Sequence, residues 1–228
     1  MIRRLTIIVT ILTAFCTAGQ DFEGSWTLSG PSIIDPLTIE VTRHAGGFYL
    51  VKGYHYTPDP SWYGEGLEAF GCFAFGLGVD VPEVHAFRMQ DSALTGFAVG
   101  YKGEELYAEG SGQVTGFQTS EVDLSGTWTP AGCGKAGLTL RLERSQDVHP
   151  AVFVATLTDG EETRGGYGVV FDEVLCVGVL GGSGRTIAVL EIAGDILKGE
   201  WLESLWEGED YTSRGFDSGS IKLKRIEE

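Results

Sequence analysis

The chain has 228 residues, and its 16 Lys and Arg stand against 32 Asp and Glu, a formal net charge of −16. So acidic a surface argues against nucleic acid and anionic membranes as partners. The hydrophobic fraction of 43% is enough for a packed core and excludes a chain that is disordered throughout.

The N-terminus has the pattern of a secretory signal. Arg3 and Arg4 precede an apolar run over residues 5–15, and small residues follow around Cys16. We expect a signal peptide at residues 1–19 and an exported protein, periplasmic or extracellular. A lipoprotein modified at Cys16 is the less favoured alternative, because Phe15 stands where a small residue is needed. No later segment is long and apolar enough to predict a membrane span.

Three cysteines would remain after cleavage: Cys72, Cys133 and Cys176. An odd number cannot all pair internally, and the sequence does not choose among the three single disulfides. No Cys lies near a His at metal-ligand spacing, so neither a metal nor a cofactor is predicted.

An internal repeat is the most informative feature of the sequence. Trp26 matches Trp128, and three further blocks follow in the same order at offsets of 101 to 103 residues. The matched blocks are 37–43 with 138–144, 85–89 with 188–192, and 94–96 with 197–199. We expect one β repeat over residues 20–120 and a second over residues 121–228.

Alternation of apolar and polar residues predicts the strands of both copies. Leu138, Leu140 and Leu142, for example, share one face of a strand. The runs 67–75 and 169–179 are almost continuously apolar, which is typical of strands covered on both faces. The predicted strands are 37–43, 48–52, 67–75, 85–89, 94–101 and 113–117 in the first copy, and 138–144, 152–156, 169–179, 187–192, 197–202 and 221–224 in the second.

These elements predict an all-β fold of two duplicated antiparallel meanders, each with six or seven strands. The copies could form separate barrels or pack as pseudo-twofold halves of one larger barrel. The short linker favours close packing of the two halves, and closure would protect sheet edges.

The second copy resembles a repeat of bacterial exported proteins of mostly unknown function, some of them labelled fibronectin-binding protein. The residues that carry the resemblance are Gly126-Thr127-Trp128, Gly166-Tyr167-Gly168-Val169, Leu175-Cys176-Val177-Gly178-Val179 and Leu197-Lys198-Gly199-Glu200-Trp201. The G-x-W start is also similar to the first strand of lipocalin-like and avidin-like barrels. The resemblance implies a β fold and export from the cell. Its motifs are structural, so it identifies no ligand-binding residue.

Several conspicuous residues are better explained by structure than by chemistry. Trp26 and Trp128 occupy equivalent positions, as expected of residues that plug a barrel end with the indole N–H on a carbonyl. Cys72 and Cys176 are also equivalent and could meet near a twofold axis. His85 shares a face with Phe87 and Met89, as a hydrogen-bonded core histidine would.

One aromatic loop stands out as a candidate binding site. Residues 54–63 have no close counterpart in the second copy, and aromatic side chains at a barrel mouth bind ligands by stacking. Two aromatic residues in an acidic stretch of the second copy could flank a comparable rim. The candidate ligand-binding residues are Tyr54, His55, Tyr56, Trp62, Tyr63, Trp206 and Tyr211.

We therefore expect a non-catalytic binding module for a small molecule, a glycan or an envelope or extracellular partner. The alternative is a secreted hydrolase that uses acidic residues with His55 or His85. The sequence carries no catalytic motif and does not indicate an oligomeric state.

Overall fold

The computed structural model describes residues 21–28, 37–54, 58–77, 82–90, 93–102, 105–111, 122–132, 136–145, 149–171, 173–207 and 212–226. Every regular element in these residues is a β-strand, as predicted. The described part of the chain contains no helix long and apolar enough to cross a membrane. The expected signal peptide, Cys133 and the predicted strand at 113–117 lie outside the described residues.

The first half of the chain forms an antiparallel sheet, here called unit 1, in which each strand pairs with the next along the sequence. Its strands are β1 (Gly24–Leu28), β2 (Leu37–Arg43), β3 (Tyr49–Tyr54), β4 (Trp62–Ala69), β5 (Cys72–Leu77), β6 (Val84–Gln90), β7 (Ala93–Lys102) and β8 (Glu105–Ser111).

The second half, unit 2, has the same meander order and closes into a barrel. Closure comes from the pairing of its last strand with its first, where Leu223 stands opposite Pro130 and Arg225 opposite Trp128. Its strands are β9 (Gly126–Pro130), β10 (Leu138–Arg144), β11 (Val152–Asp159), β12 (Glu162–Phe171), β13 (Val174–Gly181), β14 (Gly184–Ala193), β15 (Ile196–Glu207) and β16 (Thr212–Ile226).

The two long apolar runs are hairpins, and the prediction of one strand in each was wrong. In unit 1 the chain reverses at Phe70 and Gly71, whose φ angles of 52° and 71° are typical of a tight hairpin turn. In unit 2 the break falls between Phe171 and Val174. A Phe at positive φ is unusual, so the turn could not be recognised from residue type.

Burial on both faces, predicted for these runs, is confirmed. All six residues of β5 are buried. Phe73 and Phe75 face the interior of unit 1, whereas Cys72 and Ala74 belong to a core shared with unit 2. A strand buried on both faces has no polar face, which explains its continuous apolar sequence.

The molecule is thus built around three apolar cores: one inside each unit and one between them. The middle core joins outward-facing residues of both sheets, including Leu67 and Val99 of unit 1 and Tyr167 and Ile187 of unit 2. Of the two predicted arrangements, the structure has two packed units and not one larger barrel.

The equivalent tryptophans of the two units form the same hydrogen bond. Trp26 Nε1 donates to the carbonyl of Phe22 at 2.9 Å, and Trp128 Nε1 donates to that of Leu124 at 3.0 Å. The predicted hydrogen bond of each indole N–H to a carbonyl is confirmed; Trp128 is fully buried and Trp26 partly buried. Three acids on strands β2, β10 and β14 are exposed: Glu40, Glu143 and Glu191.

Candidate ligand-binding site at the open end of unit 1

The interior of unit 2 has no room for a ligand in the part that the structure describes. Its cavity measures about 30 Å³ and is lined by apolar side chains together with Trp201 and Thr186. That volume is close to the share of a single water molecule, whereas ligand pockets measure about 300–1,000 Å³. This cavity is therefore too small to hold a ligand of ordinary size.

A buried ion pair lies near one end of the unit 2 barrel. The side chains of Arg164 and Glu203 form a salt bridge and are only 4% and 5% exposed. Arg164 also donates to Thr186 Oγ1, to Ser183 Oγ and, through two nitrogens, to Glu162. The hydrogen bonds that Glu162 accepts, from Arg164 foremost and also from Ser183, hold its pKa below the usual value. Every nitrogen of the Arg164 guanidinium therefore has a hydrogen-bond partner.

The repeat places different residues at the corresponding end of unit 1. Gly64 aligns with Gly166, so Trp62 stands where unit 2 has Arg164. In the same way Glu83 corresponds to Thr186, and His85 corresponds to Ala188. An aromatic ring and a carboxylate thus stand in place of Arg164 and Thr186.

Trp62 lies at this end with its ring held in place and partly open to solvent. It pairs with Gly53 across the β3–β4 ladder. A Cβ atom on Gly53 would lie 3.2 Å from Trp62 Cε3 and 3.4 Å from Leu77 Cδ1, so the indole packs over the glycine and beside Leu77. Trp62 is 38% exposed, whereas Trp26 and Trp201 are half-buried and Trp128 is fully buried.

Glu83 and His85 lie at the start of β6, where His85 pairs with Phe75 of β5. His85 Nε2 lies 3.2 Å from Glu83 Oε2, and its ring stacks on Phe75 with centroids 4.7 Å apart. The His85 side chain is 7% exposed and that of Glu83 is 23% exposed. His85 Nδ1 is buried and has no hydrogen-bond partner among the described residues. The histidine is therefore a core residue that orients a partly accessible carboxylate.

The predicted aromatic site is split between two faces of the sheet. Tyr63, 61% exposed, pairs with Lys52 and points to the outer face, opposite to Trp62. Tyr54 Oη donates to Glu40 Oε2 at 2.8 Å, also on the outer face, and this hydrogen bond raises the pKa of Tyr54.

The structure leaves the remaining predicted site residues unassigned. His55, Tyr56 and Tyr211 lie outside the described residues. Trp206 falls near the end of β15 in the other unit, and its side chain is not among those described.

The sequence did not reveal the polar link between the units. Arg185 of β14 contacts Glu65 of β4 at 3.3 Å and donates to the carbonyl of Gly76 at 3.0 Å. Ser204 Oγ donates to the other Glu65 oxygen at 3.0 Å. These residues lie about 110–140 positions apart in the sequence, and no local pattern relates them.

Among the described residues, no three His, Cys, Asp or Glu side chains lie close enough together to hold a metal ion. Comparison with known protein families and with curated proteins finds no match for this chain.

Proposed function

We propose that the protein is a non-catalytic binding module and that the open end of unit 1, built around Trp62, binds its ligand. The observation that carries this proposal is the exposure of Trp62 at the position where unit 2 has a buried, fully bonded arginine. Ligand sites are lined mainly by apolar and aromatic side chains, so an accessible indole in place of a bonded arginine is a candidate ligand contact.

A glycan suits the chemistry of this end best. The indole offers a flat face on which the C–H side of a sugar ring can stack, and it is held by Gly53 and Leu77 before the ligand arrives. Glu83, fixed by His85, offers a carboxylate that accepts hydrogen bonds from hydroxyl groups. The net charge of −16 favours a neutral or cationic ligand over an anionic one.

The hydrolase alternative receives less support. His85 is buried against Phe75, so its ring cannot reach a substrate without a rearrangement of the core. His55, the other histidine of that hypothesis, lies outside the described residues.

Calorimetric titration with a panel of neutral oligosaccharides tests the proposal. We expect at least one to bind, and Trp62→Ala to weaken its affinity about tenfold or more, because stacking on one aromatic ring contributes about 1–3 kcal/mol. Tyr63→Ala is the matched control, since the neighbouring ring points to the opposite face.

The Tyr63→Ala variant should bind as the wild type does. Both variants should unfold close to the wild-type midpoint, because substitutions at the surface change the free energy of unfolding little. Absence of binding across the panel would contradict the proposal. Loss of binding in Tyr63→Ala alone would move the site to the outer face of the sheet.

A further inference from the structure

Two thiols that form no disulfide face each other across the boundary between the units. Cys72 begins β5 and Cys176 lies in β13; both are fully buried in the core shared by the two units. The side chains share a hydrogen bond, which, together with burial, raises the pKa of the Cys176 thiol. The predicted meeting of these equivalent residues therefore occurs, with both thiols reduced in this structure.

Arg88 makes the two thiols chemically different. Its Nε donates to Cys72 Sγ at 3.2 Å, and its guanidinium lies over the ring of Phe171 at 5.2 Å. A guanidinium hydrogen-bonded to sulfur stabilises the thiolate, which is the nucleophile in thiol–disulfide exchange. Cys72 is thus placed to attack, and Cys176 keeps its proton until a second step.

Both cysteines are buried, but each lies within a few residues of an exposed turn in the sequence. Cys72 directly follows the exposed Phe70-Gly71 turn, and Phe70 is 43% exposed with φ at 52°. Cys176 lies close after the turn between β12 and β13, where Glu173 is exposed. The Phe70 ring lies against Gly199 of β15. Access of a small disulfide to Cys72 therefore requires local opening of this turn, for which a residue at positive φ is a favourable place.

We propose that Cys72 and Cys176 form an oxidisable dithiol that cross-links the two units by exchange with a small-molecule disulfide. The Cys72 thiolate attacks one sulfur of the external disulfide, whose S–S bond breaks, and the released thiolate takes the proton of Cys176. The Cys176 thiolate then attacks Cys72 Sγ and releases a second external thiolate, which is protonated by solvent. Two electrons pass from the protein to the external disulfide, which becomes two thiols.

The experiment uses the full chain and its Cys133→Ser variant, each incubated folded with oxidised glutathione. Alkylation after denaturation counts the remaining thiols, and proteolysis without reductant identifies the linked peptides. We expect both proteins to lose two thiols and to yield a peptide pair that joins Cys72 to Cys176. Recovery of both thiols after incubation, or linkage through Cys16 or Cys133 in place of the Cys72–Cys176 pair, would overturn the proposal.

Arg88→Met tests the role assigned to the arginine and keeps the length of its side chain. We expect the cross-link to form about three- to tenfold more slowly than in the wild type, and urea unfolding of the reduced variant checks that it remains folded. An unchanged rate in a folded variant would refute the assignment of Cys72 as the attacking thiol.

Discussion

At the residue scale, Tyr49 has its ring buried inside unit 1 and its hydroxyl hydrogen-bonded to two charged side chains. The residue is fully buried among phenylalanines, with Phe73 at an edge-on centroid distance of 5.2 Å. Its hydroxyl accepts a hydrogen bond from Arg43 and donates one to Glu68 Oε2 at 2.8 Å. Burial, followed by the hydrogen bond to Glu68, raises the pKa of this phenol above its ordinary value. The neutral phenol is therefore part of the folded state.

This shift predicts that the protein loses stability in alkali. Because the folded pKa exceeds the unfolded value of about 10, the contribution is complete below about pH 10 and is lost as the pH rises towards the folded pKa. Tyr49→Phe should remove this loss and cost about 1 kcal/mol at neutral pH, the free energy of a typical hydrogen bond. Urea unfolding from pH 8 to pH 11.5 measures both effects.

Tyr63→Phe is the control, since that hydroxyl is exposed. It should keep the wild-type dependence of the unfolding free energy on pH. A Tyr49→Phe variant that loses stability above pH 10 as steeply as the wild type would assign the alkaline transition to another group.

At the residue scale the sequence also explains why only part of the candidate site was predictable. Trp62 was recognisable as an unusual aromatic residue without a counterpart in the second copy. Trp62 and Tyr63 are the first two residues of β4. Their side chains point to opposite faces of the sheet, because neighbouring residues of a strand alternate between faces. The loop was interpreted as a single surface because the hairpin that contains β4 was not recognised.

At the scale of elements, closely approaching backbones set the shape of each sheet. A Cβ atom on Gly166 of β12 would lie 2.0 Å from the carbonyl oxygen of Gly178 in β13, and one on Gly64 of β4 would lie 1.8 Å from that of Gly76 in β5. The two glycines are equivalent in the repeat. Neither strand pair can keep its spacing with any side chain at these positions.

Gly166→Ala should therefore lower the free energy of unfolding by about 3 kcal/mol, since the β12–β13 ladder has to open to admit the methyl group. The neighbouring Gly165→Ala is a close control: a Cβ atom there meets no atom within 4 Å. Chemical unfolding should show that variant unchanged or slightly stabilised, because alanine restricts the unfolded chain. Equal losses of unfolding free energy in both variants would mean that glycine is needed for backbone flexibility and not for the close approach of the two strands.

Most elements were predictable, with two exceptions: strands that none of the predicted ones covers, such as β8, and the two long apolar runs. Alternation located strands such as β2 and β10 because one face meets a core and the other meets solvent. The continuous runs around β5 and β13 lack that contrast, since both faces are buried, and the sequence could not show where the chain turns. Each unit consequently has more described strands than the six or seven predicted.

At the scale of the whole molecule, a buried ion pair joins the two units. The side chains of Glu65 and Arg185 are 12% and 2% exposed, and burial lowers the pKa of Arg185 in spite of the attraction of Glu65. Buried ion pairs are costly to break from one side, because the remaining charge stays desolvated. The pair therefore fixes how the two sheets pack more than it adds net stability.

Glu65→Gln should lower the free energy of unfolding by about 2–4 kcal/mol, because Arg185 then remains buried without this partner charge. Glu143→Gln serves as comparison, since Arg141 and Glu143 form a pair that is 63% and 58% exposed. That variant should keep the wild-type urea midpoint, as exposed pairs contribute little. A Glu65→Gln variant as stable as the wild type would show that the junction does not depend on this pair.

The two units share a fold but differ at one end, which explains why the proposed binding surface occurs in unit 1 alone. Both units have the same tryptophan hydrogen bond and the same close glycine contacts. Arg164 and Glu203 are buried in unit 2, whereas Trp62 of unit 1 is 38% exposed at the position of Arg164. Glu162, two positions before Arg164, is visible in the local sequence, but the buried partner Glu203 lies 39 positions further along the chain and is not. The asymmetry emerges only from the packed structure.

Indole nitrogen resonances of the five tryptophans, followed by NMR during titration with the oligosaccharide panel, test this asymmetry most directly. The account predicts that a binding glycan shifts the Trp62 resonance, identified with Trp62→Phe, and leaves those of Trp128 and Trp201 in place. A ligand that shifts Trp201 inside unit 2, or a panel that shifts no resonance, would contradict the assignment of the open end of unit 1 as the binding site.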